Sequence, residues 1–259
     1  MRSKITAAWP YPFWIAHRGA GKLAPENTLA ALRLGVQHGY RMFECDVKLS
    51  LDGVPFLLHD TTLDRTTSAR PRQPAPAPAS AVAGELAWGA LARLDAGSWH
   101  SRAFAGEPLP TLENVAHFCR ANGYALNIEI KPSPGTDHHT GEVVAAHAAR
   151  LWRGAGVAPL LTSFSPAALQ GARHSAPALP RGLLLETLES GWSGSALALG
   201  CVAVIGRHTV WDSASVAQAH DAGLRALSYT VNDESAAQRL IGLGTDGIIT
   251  DRVDLFSPA

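Results

Sequence analysis

Short apolar runs recur along the chain, and most are followed by a stretch with helical spacing that ends at Gly or Pro. These runs predict eight strands, at residues 13–16, 42–49, 125–131, 160–164, 182–186, 202–206, 226–231 and 247–250. The intervening stretches predict helices, at residues 28–38, 112–122, 142–153, 166–172, 213–222 and 234–243. Strands that alternate with helices in this number are typical of the α/β class and of a closed (β/α)8 TIM barrel.

One segment departs from this alternation. A small insertion, about residues 54–110, separates the second and third barrel strands, and residues 54–59 within it predict an extra strand. Residues 68–80 are rich in Pro, Ala and Arg, a composition that buries too little apolar surface to fold on its own. We therefore predict a loop there, within a single domain that spans residues 1–259.

Composition narrows the classes of function. The chain has 259 residues, of which 46% are hydrophobic and 17% charged, and its formal net charge is zero. No basic run could neutralise a series of nucleic-acid phosphates, and no apolar run approaches the roughly 20 residues that cross a bilayer. We expect no nucleic-acid partner and no stable membrane association, while the oligomeric state stays open.

Features of the cysteines and of the first residues bear on location. Cys45, Cys119 and Cys201 are odd in number and widely spaced, which predicts neither a disulfide framework nor a Cys-x-x-Cys metal site. The first residues resemble a signal peptide, but Pro10 and Pro12 interrupt the apolar run and no small-residue cleavage site follows. Both observations favour a cytoplasmic location.

Ionisable residues fall at the ends of the predicted strands, where the loops of such a barrel form an active site. Glu44 and Asp46 are one residue apart on a strand, so both carboxylates lie on the same face, and Glu129 ends the next barrel strand. An isolated acidic pair usually belongs to an exposed strand face, but the third carboxylate favours a metal site. Oxygen ligands suit Mg²⁺ or Ca²⁺, with Mn²⁺ as a further candidate, better than Zn²⁺.

Two histidines and two basic residues accompany these carboxylates. His17 and His59 suit proton transfer near neutral pH, although each taken alone is more often a structural histidine. Arg18 offers paired donors to phosphate oxygens, and Lys131 adds a compact positive charge. Alternatively, Arg18 is a surface residue and Lys131 is an ion-pair partner of Glu129. Together the set predicts phosphodiester chemistry.

The order of these motifs resembles the glycerophosphodiester phosphodiesterase family, and most closely its bacterial cytoplasmic branch. The matching blocks cover nearly the whole chain: His17-Arg18-Gly19, Pro25-Glu26-Asn27-Thr28, Glu44-Cys45-Asp46-Val47, His59-Asp60, Leu63-Asp64-Arg65-Thr66, Leu109-Pro110-Thr111-Leu112, Asn127-Ile128-Glu129-Ile130-Lys131, Ser163-Phe164, Tyr229-Thr230-Val231-Asn232 and Asp246-Gly247-Ile248-Ile249-Thr250-Asp251. A lone His-Arg-Gly would be a weak signal, whereas the combination is specific.

The resemblance implies metal-dependent hydrolysis of glycerophosphodiesters to glycerol 3-phosphate and an alcohol. It assigns one divalent cation to Glu44, Asp46 and Glu129. The acid and base would be His17 and His59, in an order that the sequence leaves open, and the reaction would pass through a cyclic phosphate.

The resemblance also implies roles for residues outside this set. It assigns phosphate contacts to Arg18 and Lys131, and it places Phe164 and Tyr229 at the barrel mouth as candidates for the substrate pocket. Asp251 is expected to be structural. Trp211 and His208 are weaker candidates for substrate contact, which we leave outside the catalytic set.

Two other functions remain in view. A lysophospholipase D, or a cyclising phospholipase-type lyase, would use similar histidines and carboxylates, but it needs a place for an acyl chain that the sequence does not indicate. A barrel that binds phosphodiesters without cleaving them usually lacks one catalytic group. Here every expected group is present, so hydrolysis is the favoured function.

Overall fold

Eight parallel strands form the centre of the fold. The computed structural model describes residues 9–69, 81–256 and 258. The barrel strands are β1 (Trp14–Ala16), β2 (Met42–Leu49), β4 (Ala125–Ile130), β5 (Leu160–Ser163), β6 (Arg181–Leu185), β7 (Ala203–Arg207), β8 (Arg225–Tyr229) and β9 (Gly247–Thr250), and β3 (Pro55–Leu57) is an additional strand. The helices are α1 (Leu29–Gln37), α2 (Trp88–Leu91), α3 (Leu112–Asn122), α4 (Asp137–Leu151), α5 (Pro166–Ser175), α6 (Trp192–Ala198), α7 (Ser213–Asp221) and α8 (Glu234–Leu243).

The first strand closes the barrel. It pairs in parallel with β2, where Ala16 lies opposite Phe43, and with β9, where Ala16 lies opposite Thr250. The remaining neighbours are also parallel, in the order β9, β8, β7, β6, β5, β4 and β2. The predicted (β/α)8 barrel is confirmed, and every predicted strand overlaps an observed one.

Alternation along β2 divides the interior from the helix layer. Phe43, Cys45 and Val47 belong to the core between the strands and the helices, whereas Met42 belongs to the core inside the barrel. Because side chains alternate across a strand, Glu44 and Asp46 follow Met42 on the inner face. The interior is therefore apolar at the end where β2 begins and charged where it ends.

The predicted insertion contains the extra strand. β3 runs antiparallel to β2, with Leu57 opposite Val47, and a separate apolar cluster packs around Phe56, Leu63 and Leu91. Two short 3-10 turns, Ala83–Glu85 and Arg102–Phe104, also belong to this region. Residues 70–80 of the predicted Pro, Ala and Arg-rich loop lie outside the described residues.

The cysteines and the helix lengths complete the description of the fold. Cys45, Cys119 and Cys201 are buried and unpaired, in keeping with the absence of a disulfide pattern in the sequence. Across the ranges that the structure describes, none of the helices combines the length and the apolar character needed to cross a bilayer.

One helix begins earlier than its sequence predicts. α4 starts at Asp137 instead of residue 142, because its polar first turns pack against α5. A methyl group at Gly141 would overlap the carbonyl oxygen of Ala168, and one at Gly171 would overlap the carbonyl oxygen of His138. These glycines allow the two backbones to approach closely, a contact that periodicity within one helix cannot predict.

We expect Gly141→Ala to destabilise the fold by about 1–3 kcal/mol, the usual cost of adding a carbon where backbone atoms leave no room. The measurement is the free energy of unfolding in urea. Gly242→Ala is the matched control, because Gly242 is an exposed helical glycine with nothing near its missing Cβ. The control should gain stability, by up to about 1 kcal/mol, and an equal gain in Gly141→Ala would contradict the packing argument.

Candidate active site

Three carboxylates meet inside the barrel where β2 and β4 end. Asp46 lies directly opposite Glu129 in the parallel pairing of the two strands, and Glu44 precedes Asp46 on the same face. One oxygen from each of the three residues lies within 4.8 Å of the others. Glu44 and Asp46 are buried, and the side chain of Glu129 is only 12% exposed. The structure thus brings together the predicted acidic trio.

Burial and mutual repulsion perturb these acids. Burial, followed by the charges of Asp46 and Glu129, raises the pKa of Glu44 well above its usual value. Burial and the charge of Asp46 raise the pKa of Glu129 to about 7. Burial also opposes ionisation of Asp46, but the positive charge of Arg18 and the other nearby cations outweigh it and lower its pKa.

The acidic trio has a free ligand atom. Oε1 of Glu44 is buried and accepts no hydrogen bond from any residue that the structure describes. An unpaired buried carboxylate oxygen costs free energy, and a cation between the three carboxylates would remove that cost. An all-oxygen donor set of this charge fits Mg²⁺, Ca²⁺ or Mn²⁺. The residues present therefore fit a divalent cation.

The loop after β1 places a guanidinium beside this trio. Arg18 adopts a left-handed backbone conformation, with φ of 50°, and its backbone N–H donates to Oε2 of Glu44 at 3.0 Å. Its side chain approaches Oδ2 of Asp46 at 3.2 Å and donates to Glu26 at 2.9 Å. Glu26 therefore fixes the direction of Arg18 toward the acidic cluster.

Asn27 holds Asp46 in place from the same loop. Its Nδ2 donates to Oδ2 of Asp46 at 2.8 Å, and its Oδ1 accepts from the backbone N–H of Asp46 at 3.0 Å. Asn27 is buried and also has a left-handed backbone, with φ of 60°. Asparagine tolerates this conformation better than most residues, so one side chain satisfies both the turn and the strand.

His17 is oriented by the last barrel strand. Its Nδ1 lies 2.6 Å from Oδ1 of Asp251, and its Nε2 faces Glu44 at 3.8 Å. Asn232 donates to the other oxygen of Asp251 at 2.8 Å and accepts from its backbone N–H at 2.9 Å. The sequence suggested a structural role for Asp251. The contact with His17 indicates that Asp251 orients this ring. The contact depends on the pairing of β1 with β9.

His59 lies on the opposite side, after β3. Its Nδ1 is 2.7 Å from Oδ1 of Asp60, and its Nε2 is 3.1 Å from Nζ of Lys131. Because an ammonium only donates, Nε2 of His59 accepts and the ring is neutral in this arrangement. Burial lowers the pKa of His59, which also favours the neutral ring, although the negative charge of Asp46 opposes this shift. Lys131 also contacts Glu129 at 3.1 Å.

A single arginine links the two loops that carry these groups. Arg65 donates to both oxygens of Glu26, at 2.7 and 2.8 Å, and to both oxygens of Asp60, at 2.6 and 2.9 Å. Glu26 contacts Arg18, and Asp60 contacts His59. Arg65 therefore connects the partners of two predicted site residues. The sequence block that contains it gave no indication of this role.

The predicted aromatic pair lies at the edge of the cluster. Phe164 is 40% exposed and meets the ring of Tyr229 edge to face, with 5.6 Å between centroids. A cleft of about 490 Å³ extends from Phe164 past Glu129, Lys131 and His59. All nine predicted site residues thus lie at or beside one end of the barrel.

Two other features are separate from this cleft. Trp211 is buried, and its Nε1 donates to the carbonyl oxygen of Leu227 at 2.9 Å, so it belongs to the core rather than to a substrate surface. A cavity of about 500 Å³ lies beside Arg41 and Ala125, where β2 and β4 begin. It is lined by none of the three carboxylates.

Known proteins share this sequence and fold. Residues 17–255 match the model of the glycerophosphoryl diester phosphodiesterase family. The chain belongs to this family. The Bacillus subtilis protein YhdW is 30% identical over 247 residues, which cover 93% of this chain and 95% of YhdW. The glycerophosphodiester phosphodiesterase of Caldanaerobacter subterraneus is 30% identical over 244 residues, with 92% and 93% of the two chains covered.

A solved structure agrees with the same assignment. A phosphodiesterase from Oleispira antarctica, in complex with the product sn-glycerol-3-phosphate, superimposes with a TM-score of 0.83 at 32% identity, covering 93% of each chain. The predicted family and enzyme class, a phosphoric diester hydrolase, are confirmed. The matches include bacterial proteins, as the resemblance implied.

We expect Mg²⁺, Ca²⁺ or Mn²⁺ to raise the melting temperature of chelator-treated protein, because the cation binds the folded carboxylate trio and not the unfolded chain. Glu44→Gln and Glu129→Gln should each remove most of this increase, as measured by differential scanning calorimetry. Glu113→Gln, an exposed glutamate on α3, is the control and should retain it. A full increase in both site variants would exclude the trio as the binding site.

Proposed function

We propose that the protein hydrolyses glycerophosphodiesters to glycerol 3-phosphate and an alcohol, with a divalent cation and with His17 and His59 as the acid–base pair. The observation that most supports this is the juxtaposition of three carboxylates with two histidines and two basic side chains at one end of the barrel. The product bound to the Oleispira antarctica relative supports glycerol 3-phosphate as the product here.

The substrate phosphate would lie beside the acidic trio. Glu44, Asp46 and Glu129 would hold the cation, which supplies a Lewis acid for the phosphate oxygens and for the attacking hydroxyl. Arg18 and Lys131 would donate to the remaining phosphate oxygens, because both already lie within 4 Å of carboxylates in the cluster. Phe164 and Tyr229 would line the substrate pocket.

The histidines divide the proton transfers. In the first step one imidazole accepts the proton of a glycerol hydroxyl, whose oxygen bonds to phosphorus. The other histidine protonates the departing alcohol as its P–O bond breaks. A cyclic phosphate results. In the second step the roles reverse, and water opens the ring to glycerol 3-phosphate.

Carboxylates orient both rings for this task. Asp251 and Asp60 each contact a Nδ1 atom, so His17 and His59 both direct Nε2 toward the cluster. A ring whose Nδ1 proton is donated to a carboxylate presents a defined tautomer, and the carboxylate stabilises the imidazolium that forms during transfer. This arrangement supports acid–base roles for both histidines.

The test of this function is product formation by metal-depleted protein. Glycerophosphocholine and glycerophosphoglycerol are supplied separately, and Mg²⁺, Ca²⁺ or Mn²⁺ is added alone. Glycerol 3-phosphate is then measured with glycerol-3-phosphate dehydrogenase. We expect release only after a cation is added. Failure to form glycerol 3-phosphate with any cation would overturn the proposal.

We expect His17→Ala and His59→Ala each to lower kcat by at least about a hundredfold, the usual contribution of a general acid or base. The measurement is steady-state turnover of glycerophosphocholine at saturating cation. His117→Ala changes an exposed histidine on α3 and serves as the control. Turnover at the control rate in either site variant would remove that histidine from the mechanism.

Arg65→Gln should remove ion pairs with both Glu26 and Asp60. We expect kcat/KM to fall by on the order of tenfold, since a hydrogen bond to a charged group contributes about 1.5 kcal/mol or more. The loss should divide between a higher KM, through Glu26 and Arg18, and a lower kcat, through Asp60 and His59.

The control for Arg65 is Arg150→Gln, which breaks an exposed contact with Glu113 at 3.6 Å. The double variant Arg65→Gln, Asp60→Asn should lose less kcat/KM than the combined losses of the two single variants, because both changes act on His59. Full additivity would contradict action through Asp60.

A further inference from the structure

A second groove adjoins the catalytic cleft and has a different chemistry. Its volume is about 330 Å³, and Phe164 lines both spaces. Tyr229 packs beside this shared residue, with its ring edge to face against Phe164 and its hydroxyl donating to the carbonyl oxygen of Leu185 at 3.2 Å. The groove therefore opens directly from the mouth of the barrel.

The two spaces differ in charge. Lys48 and Lys131 line the catalytic cleft together with Asp60 and Glu129, so its walls carry both signs of charge and its two ammonium groups can contact an anionic phosphate. Within the residues that the structure describes, Lys, Arg and His are absent from the walls of the groove. Its two ionisable residues are Glu186 and Glu189, which are exposed and form no ion pair with any part of the described chain. The groove is thus negatively charged.

The floor of the groove is apolar and partly aromatic. Leu183, Leu184 and Leu185 come from β6, and the indole of Trp192 opens α6. Phe164 closes the side nearest the catalytic cleft. An aromatic face attracts a cation, and an apolar floor favours burial of methyl groups. A neutral polyol would gain little binding free energy from such walls, and the two glutamates would repel an anion.

The ring of Phe164 joins the groove to the proposed phosphate contacts. Nζ of Lys131, which we place on the phosphate, is 6.0 Å from the centre of the Phe164 ring. One aromatic ring therefore separates the phosphate contacts from the groove.

We propose that this groove binds the alcohol half of the substrate and selects an alcohol with a quaternary ammonium group, of the choline type. The methyl groups contact Leu183 and Trp192, which share one apolar cluster, and the positive charge lies near Glu186, Glu189 and the ring of Phe164. This inference rests on the proposed phosphodiesterase function and adds a preference for one class of head group.

The test compares kcat/KM for glycerophosphocholine with that for glycerophosphoglycerol, whose alcohol half carries no charge. We expect the wild type to prefer the choline diester. Glu186→Gln and Glu189→Gln should each lower the preference ratio by about three- to fivefold, because a solvated charge pair near 4 Å contributes about 1 kcal/mol. Glu186→Lys should lower it further. Raised salt should reduce the preference as well, since the carboxylates are exposed.

Glu113→Gln is the matched control, because Glu113 is an exposed glutamate that lines neither space. It should keep the wild-type preference. Equal kcat/KM for the two diesters in the wild type would overturn the head-group proposal alone, as would an unchanged ratio in the Glu186→Gln, Glu189→Gln double variant. Absence of glycerol 3-phosphate from both diesters would overturn the proposed function and this inference together.

Discussion

The mutual repulsion of three buried carboxylates is the constraint around which this end of the barrel is organised. Glu44 and Glu129 have raised pKa values because both are removed from water beside other acids. Arg18, Lys131 and Asn27 offset part of that repulsion by direct contacts. The remaining unpaired oxygen of Glu44 is the feature that a hard cation would satisfy.

Closure of the barrel supplies much of the remaining geometry. Because β1 lies between β9 and β2, His17 can contact Asp251 on one side and Glu44 on the other. Two side chains that are 234 residues apart in the sequence are thus within hydrogen-bonding distance. The second histidine depends instead on the insertion, where β3 adds to the edge of β2 and directs His59 toward Lys131.

The loops around this site are tied to one another by charged side chains. Arg65 connects the loop after β1 to the loop after β3 through Glu26 and Asp60. Its side chain is 45% exposed, so the link contributes little to global stability. What it restricts is the relative position of Arg18, which we propose binds phosphate, and His59, which we propose transfers a proton, and small displacements of such groups are costly for catalysis.

The sequence alone determined the barrel, the approximate strand positions and the nine candidate site residues that the structure places at or beside one end of the barrel, because period-two alternation and the motifs along each strand are local. Glu44 and Asp46 had to share a face, whatever the rest of the fold did. Only the tertiary structure decided how α4 begins, which carboxylate contacts His17, and what Arg65 connects. Those features depend on close approach between segments distant in the chain, and no local periodicity encodes such contacts.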